Sequence, residues 1–197
     1  MAHLRPLENS EIADEEILAR FEHYAQTRGF TPNSIRTMAR RPAVVKAFMA
    51  LNQAILYEGS VSEQLKMLIS LACSFSAGCL YCQSHMTNLA HIYDAPSDKI
   101  GALLDFEDSE LFSDAEKAAL NVAFKGGAVP NQARQEDFDL LAEHFTEGEV
   151  VEIVASIALF GFLNRWNDTM ATTLEPLPAG RASDLIGAIG WQAGKHG

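Results

Sequence analysis

The chain is predicted to be all-α. Apolar residues recur at helical spacing in nearly every segment. Proline, glycine and N-cap residues punctuate the chain at helix-length intervals. No run alternates apolar and polar residues convincingly with the period of two that a half-buried strand requires.

Residues 14–28 place Ile17, Leu18, Phe21 and Tyr24 on one face, and Gly29 stops that helix. Thr31-Pro32-Asn33 opens the next with an N-cap and a proline in the first turn. Pro42 restarts the chain into a helix over 43–58, ended by Gly59. Ser62-Glu63 begins a long helix running to about Phe75, and Ala77-Gly78 breaks it. The following helix starts at Cys79 or Leu80, continues to about Tyr93 and leaves through Asp94-Ala95-Pro96. Ser113-Asp114-Ala115-Glu116 is a capping box for a helix over 117–125, after which Gly126-Gly127 and Val129-Pro130 read as a loop. Helices are predicted over 135–145, 148–162 and 164–174, closed by Pro176 and Pro178. In the tail, 176–197, only 185–191 is expected to form a short helix.

A weak internal duplication of helical pairs is visible. Residues 62–90 align with 147–175, so that Cys79 falls on Asn164, Tyr81 on Trp166 and Cys82 on Asn167. Each copy reads as a long apolar helix, a break and a second helix, with the thiols in one copy only.

With 197 residues, 48% of them apolar, one domain with a sizeable core is expected. The formal charge is −11, from 26 acidic and 15 basic residues, which argues against a nucleic-acid surface. The longest apolar candidate, 153–163, is too short for a membrane span, and the first twenty residues lack the apolar core of a signal peptide. A cytoplasmic protein with no membrane partner is therefore expected. Three cysteines in a reducing compartment do not form a disulfide framework, and Cys73, in an apolar helical run, reads as a small buried hydrophobe.

Chemistry concentrates in Cys79-Leu80-Tyr81-Cys82-Gln83-Ser84-His85. At a helix start, free N–H groups and the helix dipole favour a thiolate. Cys79 and Cys82 are three residues apart, as are Cys82 and His85, so one turn gathers two sulfurs and an imidazole. Such a pair can reduce a peroxide. One thiolate becomes a sulfenic acid, the other thiol condenses with it, and an external dithiol reopens the disulfide. Three other readings stand beside this one. A metal site of Cys79, Cys82, His85 and His91 would crowd neighbouring helical ligands, and no second cysteine pair exists to complete a zinc tetrahedron. The three residues can serve structure alone. A thioredoxin fold would need strands around the motif. Neither a metal nor a cofactor is expected.

Gly78-Cys79-Leu80-Tyr81-Cys82-x-x-His85 in an all-helical chain resembles the carboxymuconolactone decarboxylase superfamily, and more closely its alkylhydroperoxidase, AhpD-like branch of peroxidase-related proteins. Arg40-Arg41-Pro42, Leu71-Ala72-x-Ser74 and Asn164-Arg165-x-Asn167-Asp168 add to the likeness, which covers roughly 30–175. The resemblance implies an AhpD-like helical bundle and a thiol-dependent peroxidase. It assigns peroxide attack to Cys82, resolution to Cys79 and a proton relay to His85. It also implies a hydroperoxide substrate, a protein or lipoyl-type dithiol reductant and a homo-oligomer, a trimer or hexamer. In AhpD three residues separate the second cysteine from the histidine; here there are two.

The family's relay glutamate would stand twelve residues before the first cysteine, where this chain has Met67. Glu63, one turn earlier, and Glu152, at the matching place of the second copy, are the candidate replacements. Glu63 also reads as an ordinary first-turn acid and Glu152 as a solvated helix charge. Tyr81 is either a donor to bound peroxide or a packing aromatic, and Trp166 reads as core or subunit interface. With Met67 in place of the acid, the alternative function is a non-catalytic redox-sensing or disulfide-exchange module on the same fold.

Overall fold

The computed structural model describes residues 2–197, and among them it is all-helical. The elements are α1 (Glu15–Arg28), α2 (Asn33–Met38), α3 (Pro42–Leu56), α4 (Glu63–Ser76), α5 (Leu80–Ile92), α6 (Ser97–Gly101), α7 (Asp114–Gly127), α8 (Gln135–Ala142), α9 (Glu147–Met170) and α10 (Pro176–Ile186). Single 3-10 turns flank several of them.

Local chemistry explains most boundaries. Asp14 caps α1 by accepting from the N–H groups of Glu16 and Ile17, and Gly29 ends it in the left-handed region. Ser113 and Thr146 form reciprocal capping boxes with Glu116 and Glu149 at the starts of α7 and α9. Pro42 occupies the first turn of α3, where its missing N–H costs nothing.

The centre is α5, in which every residue from Tyr81 to Ala90 is buried. It packs against α4, α9 and α10, and α4 is in turn packed against α7. Gly127 makes that last approach possible. A Cβ there would lie 2.9 Å from the Cys73 carbonyl oxygen and 3.0 Å from its Cα, which no side chain tolerates. Lys66 is 1% exposed, and its ammonium is neutralised by Glu152 at 2.8 Å and bonded to the Glu58 carbonyl.

Four sequence expectations differ from the fold. The break expected between 162 and 164 is absent, and α9 is one helix of 24 residues, so the second copy is not a helical pair. Tertiary packing on both α4 and α5 keeps it continuous. Helix α7 runs through Gly126-Gly127, because the close contact with Cys73 rewards small residues there. Pro176 and Pro178 do not close a helix; Pro176 opens α10 as a first-turn residue. Residues 176–197 accordingly pack onto α5, with the Trp191 indole N–H donating to the Leu80 carbonyl at 3.0 Å. Among the described residues no helix is long and apolar enough to cross a membrane.

Candidate active site

The site is built at the junction of α4 and α5. Helix α4 must stop abruptly, and Gly78, with φ +70°, supplies the left-handed residue that turns the chain. Cys79 then takes the N-cap position of α5, 1% exposed, and Cys82 sits one turn in, 2% exposed. All three cysteines are free thiols.

The two sulfurs are electrostatically unequal. The Cys82 thiol and the N–H groups of Cys82 and Tyr81 at the helix start hold the Cys79 pKa below its ordinary value, although burial opposes them. Burial pushes the Cys82 thiol well above its ordinary range, and its thiol proton, shared with Cys79, adds to that rise. Asn167 of α9 counters in part by donating its amide N–H to the Cys82 sulfur at 3.4 Å. Although the family resemblance assigns peroxide attack to Cys82, the favoured thiolate is Cys79, the N-cap residue that faces the free N–H groups of the first turn. Cys73 lies apart beside Asn164, and burial raises its pKa to about 12.

Three residues after Cys82, His85 meets a carboxylate that sequence reasoning missed. Its Nε2 lies 2.6 Å from Glu175 Oε2, and both residues are buried, at 8% and 7% exposure. The other carboxylate oxygen accepts from the Tyr81 hydroxyl at 3.0 Å and from the backbone N–H of Asn33 at the start of α2. Burial would raise the Glu175 pKa, but the charge and hydrogen bond of His85 and the Asn33 N–H outweigh it, and the net shift is downward. Glu175 is therefore ionised and accepts a hydrogen bond from Nε2–H, leaving Nδ1 as the ring's other proton-handling atom. The Tyr81 ring stacks on His85 with centroids 4.2 Å apart, and Phe30 meets His85 edge-on at 5.3 Å. Tyr81 thus both packs and hydrogen-bonds, to Glu175.

Glu175 reaches this place because α9 ends at Ala171 in the left-handed conformation, φ +46°. The chain turns there and presents Glu175 just before Pro176. Neither sequence candidate for the acid is at the site. Glu63 is an exposed first-turn residue of α4, bordering a separate outer cavity with Tyr57 and Tyr93. Glu152 is bound to Lys66 and to the N–H groups of Ser60 and Val61, which hold its pKa at about 2 despite desolvation. The periodic cues that singled them out follow one helix face; the real partner arrives from ninety residues away by tertiary folding. The only local oddity that marks Glu175 is a single acid between Leu174 and Pro176.

Cys82 and His85 line a pocket walled by Phe48, Leu56, Met86, Leu89, Phe160 and Leu163, which Cys79 does not border. Its space, open to solvent at the mouth, is about 490 Å3. Largely apolar walls with a few polar members make it a slot of the kind that holds small organic molecules. Among the described residues, no group of three or more His, Cys, Asp or Glu side chains is arranged to hold a metal.

Comparisons with known proteins agree with this fold. The model of the carboxymuconolactone decarboxylase family matches residues 42–125, from the start of α3 into α7. The crystal structure of the debrominase Bmp8 is 34% identical over 93% of this chain and 97% of that one, with a TM-score of 0.85. Its C82A form, in complex with 2,3,4-tribromopyrrole, is 33% identical over 94% and 98%, with a TM-score of 0.86. A peroxidase-related protein from Ralstonia eutropha JMP134 with an alkylhydroperoxidase AhpD core is 23% identical over 90% and 94%, with a TM-score of 0.79, a likeness of fold. No curated protein sequence matches the chain.

Proposed function

We propose that this chain, which belongs to the carboxymuconolactone decarboxylase family, is a dithiol-dependent reductase of AhpD-like type that removes one electrophilic atom from a small organic molecule held against Cys82. The observation that carries the proposal is the division of labour in the thiol pair. Cys82 faces the apolar slot, Cys79 stands behind it at the helix start, and the His85–Glu175 pair lies beside them.

The first substrate class is an organic hydroperoxide, in keeping with the fold's peroxidase-related members. Cys79 thiolate takes the Cys82 proton, and Cys82 sulfur attacks the terminal peroxide oxygen. The O–O bond breaks with its electron pair on the leaving alkoxide, which takes a proton by way of His85 to become an alcohol. Cys79 then gives up its proton and attacks the Cys82 sulfenic acid, and hydroxide leaves as water with the disulfide formed. An external dithiol, of protein or lipoyl type, restores both thiols and places the cycle in the cytoplasm. Here Glu175 is a positioning residue, because it acts through His85.

The likeness to a debrominase favours a second class, a halogenated aromatic ring. A ring carbon takes a proton, Cys82 sulfur attacks the halogen, and the carbon–halogen pair returns to the ring. Cys79 displaces halide from the sulfenyl halide to give the same disulfide. Two thiols and the aryl halide thus become the arene, the disulfide and hydrogen halide.

Thiol titration decides between the two and tests both. The reduced protein is mixed with cumene hydroperoxide or with a polybrominated pyrrole, and thiols and released bromide are counted. Rapid loss of two thiols per chain with one substrate, reversed by a dithiol, identifies the class. Slow loss with both substrates would leave only the redox-sensing module and sink the enzyme reading.

The protein is also proposed to be a homo-oligomer. Leu51 of α3 and Val151, Val154 and Phe162 of α9 are exposed apolar residues on helices that pack together. Sedimentation equilibrium returning a monomer would refute this.

A further inference from the structure

The slot contains one formal charge that nothing in the protein neutralises. Arg28, in the last turn of α1, lines both the Cys82 slot and the outer cavity next to it, so it stands at the boundary between them. Its guanidinium lies over the Tyr24 ring, 4.4 Å from the centroid, and one amino group donates to the Tyr57 hydroxyl at 2.5 Å. It forms no ion pair among the described residues. Glu63 also lines the outer cavity but forms no ion pair with Arg28. The other basic side chain lining the slot, His85, is already matched by Glu175.

A second group points the same way. Asn52 of α3 is 7% exposed and borders the slot, and its side-chain amide makes no hydrogen bond among the described residues. That amide is open to the slot and free to bond to water or to a polar group of a molecule bound there. Arginine held on aromatic rings keeps its remaining N–H donors directed in a fixed plane, the arrangement that recognises carboxylates and other planar anions. Between largely apolar walls a charge-assisted pair is stronger than in open water. The protein as a whole carries −11, so this positive site is not a by-product of a basic surface.

We propose that the substrate is a small, mainly apolar organic anion, whose charged group is held by Arg28 and Asn52 while its reducible atom lies at Cys82. This deepens the proposed function and rests on the slot being the substrate site. It makes Arg28 and Asn52 determinants of specificity, so that an anionic substrate is bound more tightly than a neutral one of the same shape, which still reacts.

The experiment compares benzoate with methyl benzoate, two flat probes of similar size that differ in charge. Each is titrated against the reduced full chain, and binding is read as protection of Cys82 from alkylation, located by peptide mapping. Benzoate is expected to protect at concentrations at least roughly tenfold lower, the scale of one charge-assisted bond. Arg28→Gln should abolish the preference while leaving methyl benzoate unchanged. Should that variant fail to fold, Asn52→Ala, which leaves the Tyr24 and Tyr57 contacts of Arg28 in place, should reduce the preference by about threefold or more. Equal protection by both probes in the wild-type protein overturns the anion proposal and leaves the reductase standing. Protection by neither overturns both, since the slot would then bind no such molecule. A preference that survives Arg28→Gln also overturns the assignment.

Discussion

Replacing Glu175 by glutamine separates a positioning role from a packing role. The amide has almost the same shape and can still accept from the Tyr81 hydroxyl and the Asn33 N–H, but the charge opposite His85 is gone. Hydrogen bonds to charged groups contribute roughly 1.5–3 kcal/mol, so a loss of about 2 kcal/mol is expected at neutral pH. For a chain of this size each kcal/mol moves Tm by roughly 2–4 °C, so melting should fall by about 4–8 °C. The pH dependence has a definite sign. Glu175 has a pKa below its ordinary 4.5 in the folded state. Its contribution is present above the ordinary value and is lost as pH falls through the folded one. The stability gap between wild type and Glu175→Gln should therefore be fully present above the ordinary value of 4.5 and shrink as the pH falls below it. Turnover should drop by roughly 100-fold, the lower range for a misplaced acid–base group, with kcat more affected than KM. Calorimetry from pH 3 to 8, with single-turnover rates on whichever substrate oxidises the thiols, measures both. Unchanged turnover together with an unchanged stability gap across pH would refute the His85–Glu175 relay.

Other outcomes follow from the same site. Cys79→Ser, which also removes the base that takes the Cys82 proton, should allow one oxidation of Cys82, slower than in the wild type and trapped as a sulfenic acid by a β-diketone, but no dithiol-restored cycle; Cys82→Ser should give no trapped adduct at all. If Cys79 is trapped instead, the roles are reversed. Glu63→Gln should keep turnover within about twofold of wild type, since Glu63 borders only the outer cavity, whereas general-acid losses start near 100-fold. Glu152→Gln should leave chemistry intact but destabilise the fold by about 3 kcal/mol, because Lys66 is left buried and charged; chemical denaturation measures this. With Glu152 held near 2, that difference should be present above about pH 4.5 and fade as pH falls toward 2.

The sequence by itself determined the helical class, most helix starts and the clustering of Cys79, Cys82, His85 and Tyr81. These are local matters: caps such as Asp14 and Ser113 act within three residues, and one helical turn brings positions three apart together. Tertiary structure alone decided whether the chain breaks between 162 and 164 and whether Gly126-Gly127 stay helical, because packing against α4 outweighs the intrinsic cost of glycine. It also chose the acid. Glu63 and Glu152 satisfied every periodic cue, but helix periodicity describes a single element, and a buried carboxylate goes where two distant segments meet. The left-handed turn at Ala171 and the docking of α10 on α5 bring Glu175 to His85. The unequal thiols have the same origin: spacing pairs the sulfurs, and only the depth of Cys82 in the slot and the position of Cys79 at the helix start decide which one holds the charge.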